Sequence, residues 1–147
     1  MDSLCLRTAF ALSLAIGAML PASLSAENFN GPVEATILRV LDGDTFEADA
    51  LIWPGQSVRV NVRIRGIDAP EMKSRCAAEH RAALEARTLL EQLLGDRVSI
   101  SNVGGAKYYG RVLADVKTPD GAPVVAIMLA RGLARAYDGG RRRDWCG

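Results

Sequence analysis

Apolar and polar positions alternate in the middle of the chain with the period of two that β-strands impose. The clearest run extends from Ser57 to Ile67, and one of its faces is apolar: Val58, Val60, Val62 and Ile64. The opposite face carries three guanidinium groups: Arg59, Arg63 and Arg65. We therefore predict a strand with one side in the core and the other side basic.

Other β-rich segments lie on both sides of this strand. Two of them fill the run from Val33 to Ile52 and meet at Asp42-Gly43-Asp44, and two more lie at positions 97–103 and 111–118. An Asp-Gly pair between β-forming runs is typical of a hairpin turn. These segments predict four further strands, which gives five in total.

Two segments have helical character instead. Strong helix formers predominate from about Ser74 to Leu94, and Gly95 follows as a stop signal. The apolar stripe of this helix is predicted at Ala83, Leu84, Leu90 and Leu94. The segment VVAIMLARG predicts a short C-terminal helix that ends at Gly132. A helix between strands 3 and 4 of five predicts a mainly β protein with helices (α+β), built on a closed five-stranded barrel. Such barrels commonly bind oligonucleotides or oligosaccharides.

The first twenty-six positions have the features of a targeting segment. Arg7 provides a positive start, the apolar run from Ala9 to Leu20 is too short to span a bilayer, and small residues follow it. We predict a signal peptide at positions 1–26, cleaved after Ser25 or Ala26, and a single domain at 27–147. The protein would then be exported, to the periplasm or the medium, without stable membrane association once processed. An uncleaved membrane anchor is the alternative.

Export changes the interpretation of the cysteines. Cys76 and Cys146 remain after processing, and two thiols in an oxidising compartment most simply form a disulfide. A bridge closing a loop of roughly 70 residues contributes about 4 kcal/mol. The alternative is a zinc site formed by both cysteines and His80, which lies one helical turn after Cys76.

Composition adds little to this picture. The chain has 147 residues, of which 49% are apolar, enough for one domain with a sizeable core. Its formal net charge is +1, so overall charge does not favour a polyanionic partner. Any such partner has to be inferred from local clusters. The run Arg141-Arg142-Arg143 is one, and it either helps to hold nucleic acid or forms a solvated face.

Three other clusters contain residues suited to chemistry: Asp42-Gly43-Asp44, then Arg63 with Asp68 and Glu71, then Tyr109-Gly110-Arg111. Carboxylates supply hard oxygen ligands for a divalent cation. Guanidinium groups stay charged and grip two phosphate oxygens at once. Each cluster alone is a common turn, strand end or loop. Together they contain what the hydrolysis of a phosphodiester requires.

The order and intervals of these clusters resemble those of the thermonuclease (staphylococcal nuclease-like) family. The matching segments are VLDGDT, VRIRGIDAPE, YYGRVLA and ARGLA, and the resemblance extends over the mature chain to about Tyr137. It implies an OB-fold barrel with added helices. It also implies calcium-dependent cleavage of DNA and RNA.

The resemblance further implies a metal site. Asp44 and Asp68 match the carboxylates that hold Ca²⁺, and Ala69 would contribute its backbone carbonyl. Asp42 matches an acid beside these ligands. Glu71 matches the acid that positions or deprotonates the attacking water.

The phosphate-binding groups implied by the resemblance are Arg63 and Arg111, with Tyr109 near the nucleotide phosphate. Lys107 and Tyr108 occupy positions where the family commonly has an acid, and they would suit a single-stranded substrate. We expect that Arg63→Ala and Arg111→Ala each reduce turnover strongly and leave folding intact.

The leading hypothesis is an exported, calcium-dependent nuclease that acts as a monomer on DNA or RNA. The alternative is a non-catalytic OB-fold module that binds nucleic acid or polysaccharide, which would need the arginines and tyrosines but not the three acids. A third hypothesis is a structural protein stabilised by zinc at Cys76, His80 and Cys146.

Overall fold

The computed structural model describes residues 28–106 and 110–147, so the predicted signal peptide lies outside it. The strands and helices follow in this order: β1 (Val33–Asp42), β2 (Thr45–Trp53), β3 (Gln56–Ile64), β4 (Ile67–Asp68), α1 (Ala77–Leu94), β5 (Arg97–Gly105), β6 (Arg111–Lys117), α2 (Val124–Ala130) and β7 (Arg135–Ala136).

Five of the strands close into a barrel in the order β1-β2-β3-β6-β5. Neighbouring strands are antiparallel except β3 and β6, which run parallel with Asn61 opposite Arg111, and β5 closes the barrel against β1. Helix α1 lies between β3 and β5, which are the third and fourth barrel strands in sequence order. It follows β4, a short strand outside the barrel. The predicted five-stranded barrel with helices is therefore confirmed.

The core lies inside the barrel and under α1. Alternate strand residues point inward and are fully buried, among them Phe46, Val62, Ile64 and Ile100. Helix α1 covers one end with Ala86, Leu90 and Leu94. Two predicted core residues are exposed instead. Val58 lies near the barrel end that α1 does not cover, and Leu84 lies on the outer side of α1.

Helix α1 begins three residues later than predicted. Cys76 is its N-cap and accepts a hydrogen bond from the backbone N–H of Glu79 through its sulfur atom, at 3.4 Å. Ser74 lies before the helix, where its hydroxyl donates to the carbonyl of Cys76 at 2.9 Å. The difference arises because Ser74 bonds to the chain ahead of the helix rather than capping it.

The C-terminal segment returns to the barrel after α2. β7 pairs with β4, which places Arg135 opposite Asp68, and the backbone N–H of Tyr137 donates to the carbonyl of Gly66 at 3.0 Å. The predicted disulfide between Cys76 and Cys146 is present, with the two Cα atoms 5.9 Å apart. The tail is therefore held against the start of α1. In the described part of the chain, neither helix has the length and apolar character needed to cross a membrane.

Candidate active site

The turn between β1 and β2 brings Asp42 and Asp44 against α1 and the segment that follows β4. Gly43 makes this close approach possible, because a Cβ atom there would lie 2.6 Å from the Cβ of Ala86 and 2.7 Å from that of Ala69. Both distances are well below van der Waals contact. A glycine in the turn and alanines on the opposing surfaces thus position the acids of the hairpin.

Asp44 is buried, with 3% of its surface exposed, and both oxygens of its carboxylate have partners. One oxygen accepts the backbone N–H of Ala69 at 2.8 Å; the other accepts the hydroxyl of Thr45 at 2.8 Å and forms an ion pair with Arg63. Burial acts to raise the pKa of Asp44, but the charge of Arg63 and these hydrogen bonds outweigh it, so the pKa is lowered. Asp44 is therefore a stable carboxylate inside the protein.

Asp42 differs from Asp44 although the two are separated by one residue. Its Oδ1 accepts the backbone N–H of Asp44 at 3.0 Å. Burial, and then the nearby Asp44 carboxylate, raise the pKa of Asp42 to about 6. The hairpin thus carries one firmly ionised acid and one that is easily protonated.

Arg63 lies between the two acids predicted to bind the metal. It forms an ion pair with Asp44, and its Nη2 lies 3.5 Å from Oδ1 of Asp68 and donates to the carbonyl of Ile67 at 3.2 Å. Only 16% of its side chain is exposed. In this structure Arg63 neutralises Asp44 and Asp68 rather than extending into solvent. These two acids and Glu71 are called the acid cluster below.

The other two arginines predicted on this face of β3 have different partners. Arg59 is exposed and pairs with Asp49 through two hydrogen bonds. Arg65 donates to the carbonyls of Asn102 and Leu113, at 2.6 and 3.1 Å. Of the three guanidinium groups, therefore, only that of Arg63 belongs to the acid cluster.

The segment from Asp68 to Glu71 holds a second guanidinium group, that of Arg142 in the C-terminal tail. Nε of Arg142 donates to Oδ1 of Asp68 at 2.5 Å, and its Nη2 donates to the carbonyl of Ala69 at 3.2 Å. Its Nη1 forms an ion pair with the exposed carboxylate of Glu71. The sequence alone shows Arg142 only as part of a basic run and predicts no contact between it and the acids.

Glu79 is a buried acid that sequence analysis did not select. Its Oε1 accepts the backbone N–H of Glu71 at 3.0 Å, and its Oε2 lies 3.4 Å from the sulfur of Cys146. Glu79 therefore fixes the end of the Asp68–Glu71 segment to α1. No local signal indicated this role, because Cys76 is not a usual N-cap residue and the predicted helix start at Ser74 places Ala77 at the capping-box position.

Arg111 begins β6 and lies beside Asn61 in the parallel pairing with β3. Because Asn61 and Arg63 are two residues apart on one strand, their side chains share a face of the sheet, and Arg111 joins that face. Lys107, Tyr108 and Tyr109 lie outside the described residues, so their predicted roles stay predictions.

The two cysteines do not form a zinc site with His80, the alternative that the sequence left open. In the described chain, the group of possible ligands whose donor atoms all lie within 4.8 Å of one another is Cys76, Glu79 and Cys146, not the predicted set of acids. Both sulfurs are consumed by the disulfide and cannot act as thiolates. His80 is exposed, and its Nδ1 lies 3.0 Å from the carbonyl of Met72. The zinc hypothesis is wrong for this disulfide-bonded form.

The acid cluster nevertheless has suitable ligands for a hard divalent cation. Asp68, Ala69 and Glu71 direct oxygen atoms at one positively charged group, the guanidinium of Arg142. Asp44 accepts the backbone N–H of Ala69 and shares the guanidinium of Arg63 with Asp68. Carboxylate and carbonyl oxygens are the ligands that Ca²⁺ and Mg²⁺ prefer. The donor set fits such an ion, and the guanidinium groups of Arg63 and Arg142 contact its carboxylates.

Comparison with known proteins agrees with this geometry. A model of the family described as staphylococcal nuclease homologue matches residues 61–144, more than half of the chain. Two curated relatives, from Escherichia coli and Escherichia coli O157:H7, are both named "Uncharacterized endonuclease" and are 31% identical over 106 residues. These alignments cover 72% of this chain and 62% of each relative, so the chain matches less than two thirds of their length. The chain belongs to the staphylococcal nuclease family.

Proposed function

We propose that this protein is an exported, calcium-dependent nuclease that hydrolyses phosphodiester bonds of DNA and RNA. One observation carries the proposal: oxygen atoms of Asp68, Ala69 and Glu71 surround a single cationic group, with Arg63 beside it. Family membership and the names of the two relatives support nuclease chemistry.

In the proposed site, Asp44, Asp68 and the Ala69 carbonyl would hold the cation. A bound divalent cation would neutralise phosphate charge and favour ionisation of a water molecule. The carboxylate of Glu71 is exposed, and Glu79 holds the backbone N–H of the same residue, so the carboxylate could accept a proton from a water molecule beside the cation.

The arginines would act on the substrate. Arg63 and Arg111 share a face of the β3–β6 sheet, where both can donate to phosphate oxygens. Negative charge that develops on those oxygens in the transition state would then be stabilised by hydrogen-bond donors held on a rigid barrel. Arg63 would exchange part of its contact with Asp44 and Asp68 for contact with the phosphate.

The proposed export rests on the apolar run at Ala9–Leu20 and on the disulfide, which suits an oxidising compartment. Expression of the full chain in a bacterium, followed by fractionation and mass determination, tests it. We expect a chain that begins near position 27 in the periplasm or the medium. We also expect a monomer by size-exclusion chromatography.

The activity is tested with the oxidised protein and labelled single-stranded DNA, double-stranded DNA and RNA, with calcium or with a chelator. We expect cleavage only with calcium, and a decrease of about a hundredfold or more in Glu71→Gln. Glu85→Gln is the matched control, because it removes the same charge from an exposed position on α1. Binding of nucleic acid without cleavage would support the alternative, a non-catalytic module.

A further inference from the structure

The tail residue Arg142 lies against the proposed cation site, in contact with Asp68, Ala69 and Glu71. Each of its three guanidinium nitrogens contacts a different oxygen group: Nε contacts Asp68, Nη2 contacts the carbonyl of Ala69, and Nη1 contacts Glu71. Two of these oxygen groups are proposed ligands of the cation, and the third is the proposed water-positioning acid. The contact therefore involves all three functional groups of the Asp68–Glu71 segment.

The fold holds the tail on both sides of Arg142. Before it, β7 pairs with β4 and the backbone of Tyr137 bonds to Gly66. After it, Cys146 is joined to Cys76 at the start of α1. Arg142 thus lies in a short loop with two fixed ends, so its effective concentration at the site is high.

Within this loop, further contacts stabilise the path of the chain. The guanidinium of Arg135 lies 3.8 Å from the centroid of the Trp145 ring, and its Nη1 donates to the carbonyl of Asp144 at 2.9 Å. The hydroxyl of Tyr137 donates to the carbonyl of Gly140 at 2.8 Å. The loop therefore has an ordered conformation that directs Arg142, and not its neighbours Arg141 and Arg143, at the acids.

We propose that Arg142 is an internal competitor of the divalent cation, which has to displace its guanidinium group from Asp68, Ala69 and Glu71. The inference rests on the proposed function, because it requires that the acids bind a cation. A guanidinium group and a metal ion cannot occupy the same oxygen ligands together. The tail would therefore raise the cation concentration at which the site fills, and the protein would be inactive until that concentration is reached.

Calcium titration of the oxidised protein without nucleic acid tests this competition. We expect Arg142→Gln to bind calcium at least about tenfold more tightly than the unaltered protein, equivalent to about 1.4 kcal/mol. The rise in Tm between chelator and saturating calcium should also be larger for Arg142→Gln, because its metal-free form has lost one of the two counterions of Asp68, Arg63 being the other. Neither readout depends on catalysis.

Arg143→Gln is the matched control. It removes the same charge from the next position of the same tail segment, where the side chain is exposed. We expect a change in calcium affinity of less than about threefold, because the described contacts of the acids include Arg142 but not Arg143, and solvent and salt screen a charge that makes no direct contact. Equal gains in Arg142→Gln and Arg143→Gln would show a general charge effect and would overturn the proposal.

A second control separates the two ways in which the idea can fail. Asp68→Asn should abolish calcium binding both in the unaltered protein and in combination with Arg142→Gln. If the unaltered protein binds calcium through Asp68 and Arg142→Gln binds it equally or more weakly, the competition is wrong and the proposed cation site stands. If neither protein binds calcium, the proposed site and the competition both fail.

Discussion

The two ends of the barrel are built from the same strands, but one end contains buried charged groups and the other is apolar. At one end, where β1 meets β2 and β3 ends, buried carboxylates pair with guanidinium groups, and Asp44 and Asp68 are each 3% exposed. At the other end, β2 and β3 border an open apolar pocket of about 370 Å³ lined by side chains such as Val33, Ile100 and Val112. Ile52, which is 58% exposed, contributes to the rim of this pocket.

This difference indicates where the fold is adapted for chemistry. Burying ionised groups is unfavourable unless each one is paired and hydrogen-bonded, and apolar residues of similar size would stabilise the protein as well or better. At the apolar end, the residues that line the pocket are all apolar. Retention of Asp44, Asp68 and Arg63 at the other end is therefore better explained by binding and catalysis than by stability.

The largest effect should come from Arg63→Ala, compared with Arg59→Ala on the same strand. Removing Arg63 leaves two buried carboxylates without this partner, so we expect the free energy of unfolding to fall by about 3 kcal/mol. Turnover should fall about a hundredfold through loss of a phosphate donor. Urea unfolding in chelator and cleavage of single-stranded DNA are the two measurements.

Arg59 is the control because its ion pair with Asp49 is exposed. Arg59→Ala should keep near-normal stability and turnover. The structure thus changes the sequence-based expectation that Arg63→Ala would leave folding intact. Equal stability of the two variants would show that the acid cluster does not depend on Arg63.

The second comparison concerns the turns at the two ends. Gly43→Ala places a methyl group 2.6 Å from the Cβ of Ala86, so the hairpin has to move away from α1. We expect a loss of about 2 kcal/mol of stability, together with weaker calcium binding as Asp44 is displaced. Thermal unfolding in chelator and calcium titration measure the two effects.

Gly55→Ala is the matched change at the apolar end. A Cβ there meets nothing within 4 Å, and the only difficulty is the positive φ of 79°. This strain should cost about 1 kcal/mol and should leave calcium affinity unchanged. If Gly43→Ala bound calcium normally, the close packing of the hairpin would be irrelevant to the site.

Much of this architecture could be predicted because it follows local rules. The alternation along β3 predicted the burial of Val62 and Ile64, and the Asp-Gly signal predicted the turn between β1 and β2. The alternation was wrong for Val58, which is 43% exposed, because period alone does not show where a barrel end is uncovered.

The site was predictable only in part, for a similar reason. The order of motifs indicated Asp44, Asp68 and Arg63, which the fold brings together. The choice of Arg142 from three consecutive arginines depends on the β4–β7 pairing and on the disulfide, contacts between residues far apart in sequence. No local pattern contains that information.

The smallest effect on stability should come from the two acids of the hairpin, Asp42 and Asp44. Their contributions to the free energy of unfolding change with pH in opposite directions. The pKa of Asp42 is raised to about 6 by burial and by Asp44, so the folded protein binds this proton more tightly than the unfolded chain does. Its contribution to stability is therefore present at low pH and is lost as the pH rises from about 4 through about 6. The pKa of Asp44 is lowered, so its contribution is present above the unfolded pKa and is lost as the pH falls through the folded pKa.

Asp42→Asn isolates the first effect, because an amide oxygen can still accept the N–H of Asp44. The difference between about 6 and 3.8 corresponds to at most about 3 kcal/mol, and coupling to Asp44 and partial exposure reduce it. In chelator at pH 7 we expect Asp42→Asn to be about 1 kcal/mol more stable than the unaltered protein, with no difference near pH 4. Asp96→Asn, which removes the same charge from an exposed position between α1 and β5, should not show this pH-dependent gain in stability. Coincident profiles for Asp42→Asn and the unaltered protein would mean that Asp42 is solvated like an ordinary surface acid, so only Asp44 and Asp68 would distinguish this end of the barrel by their charge.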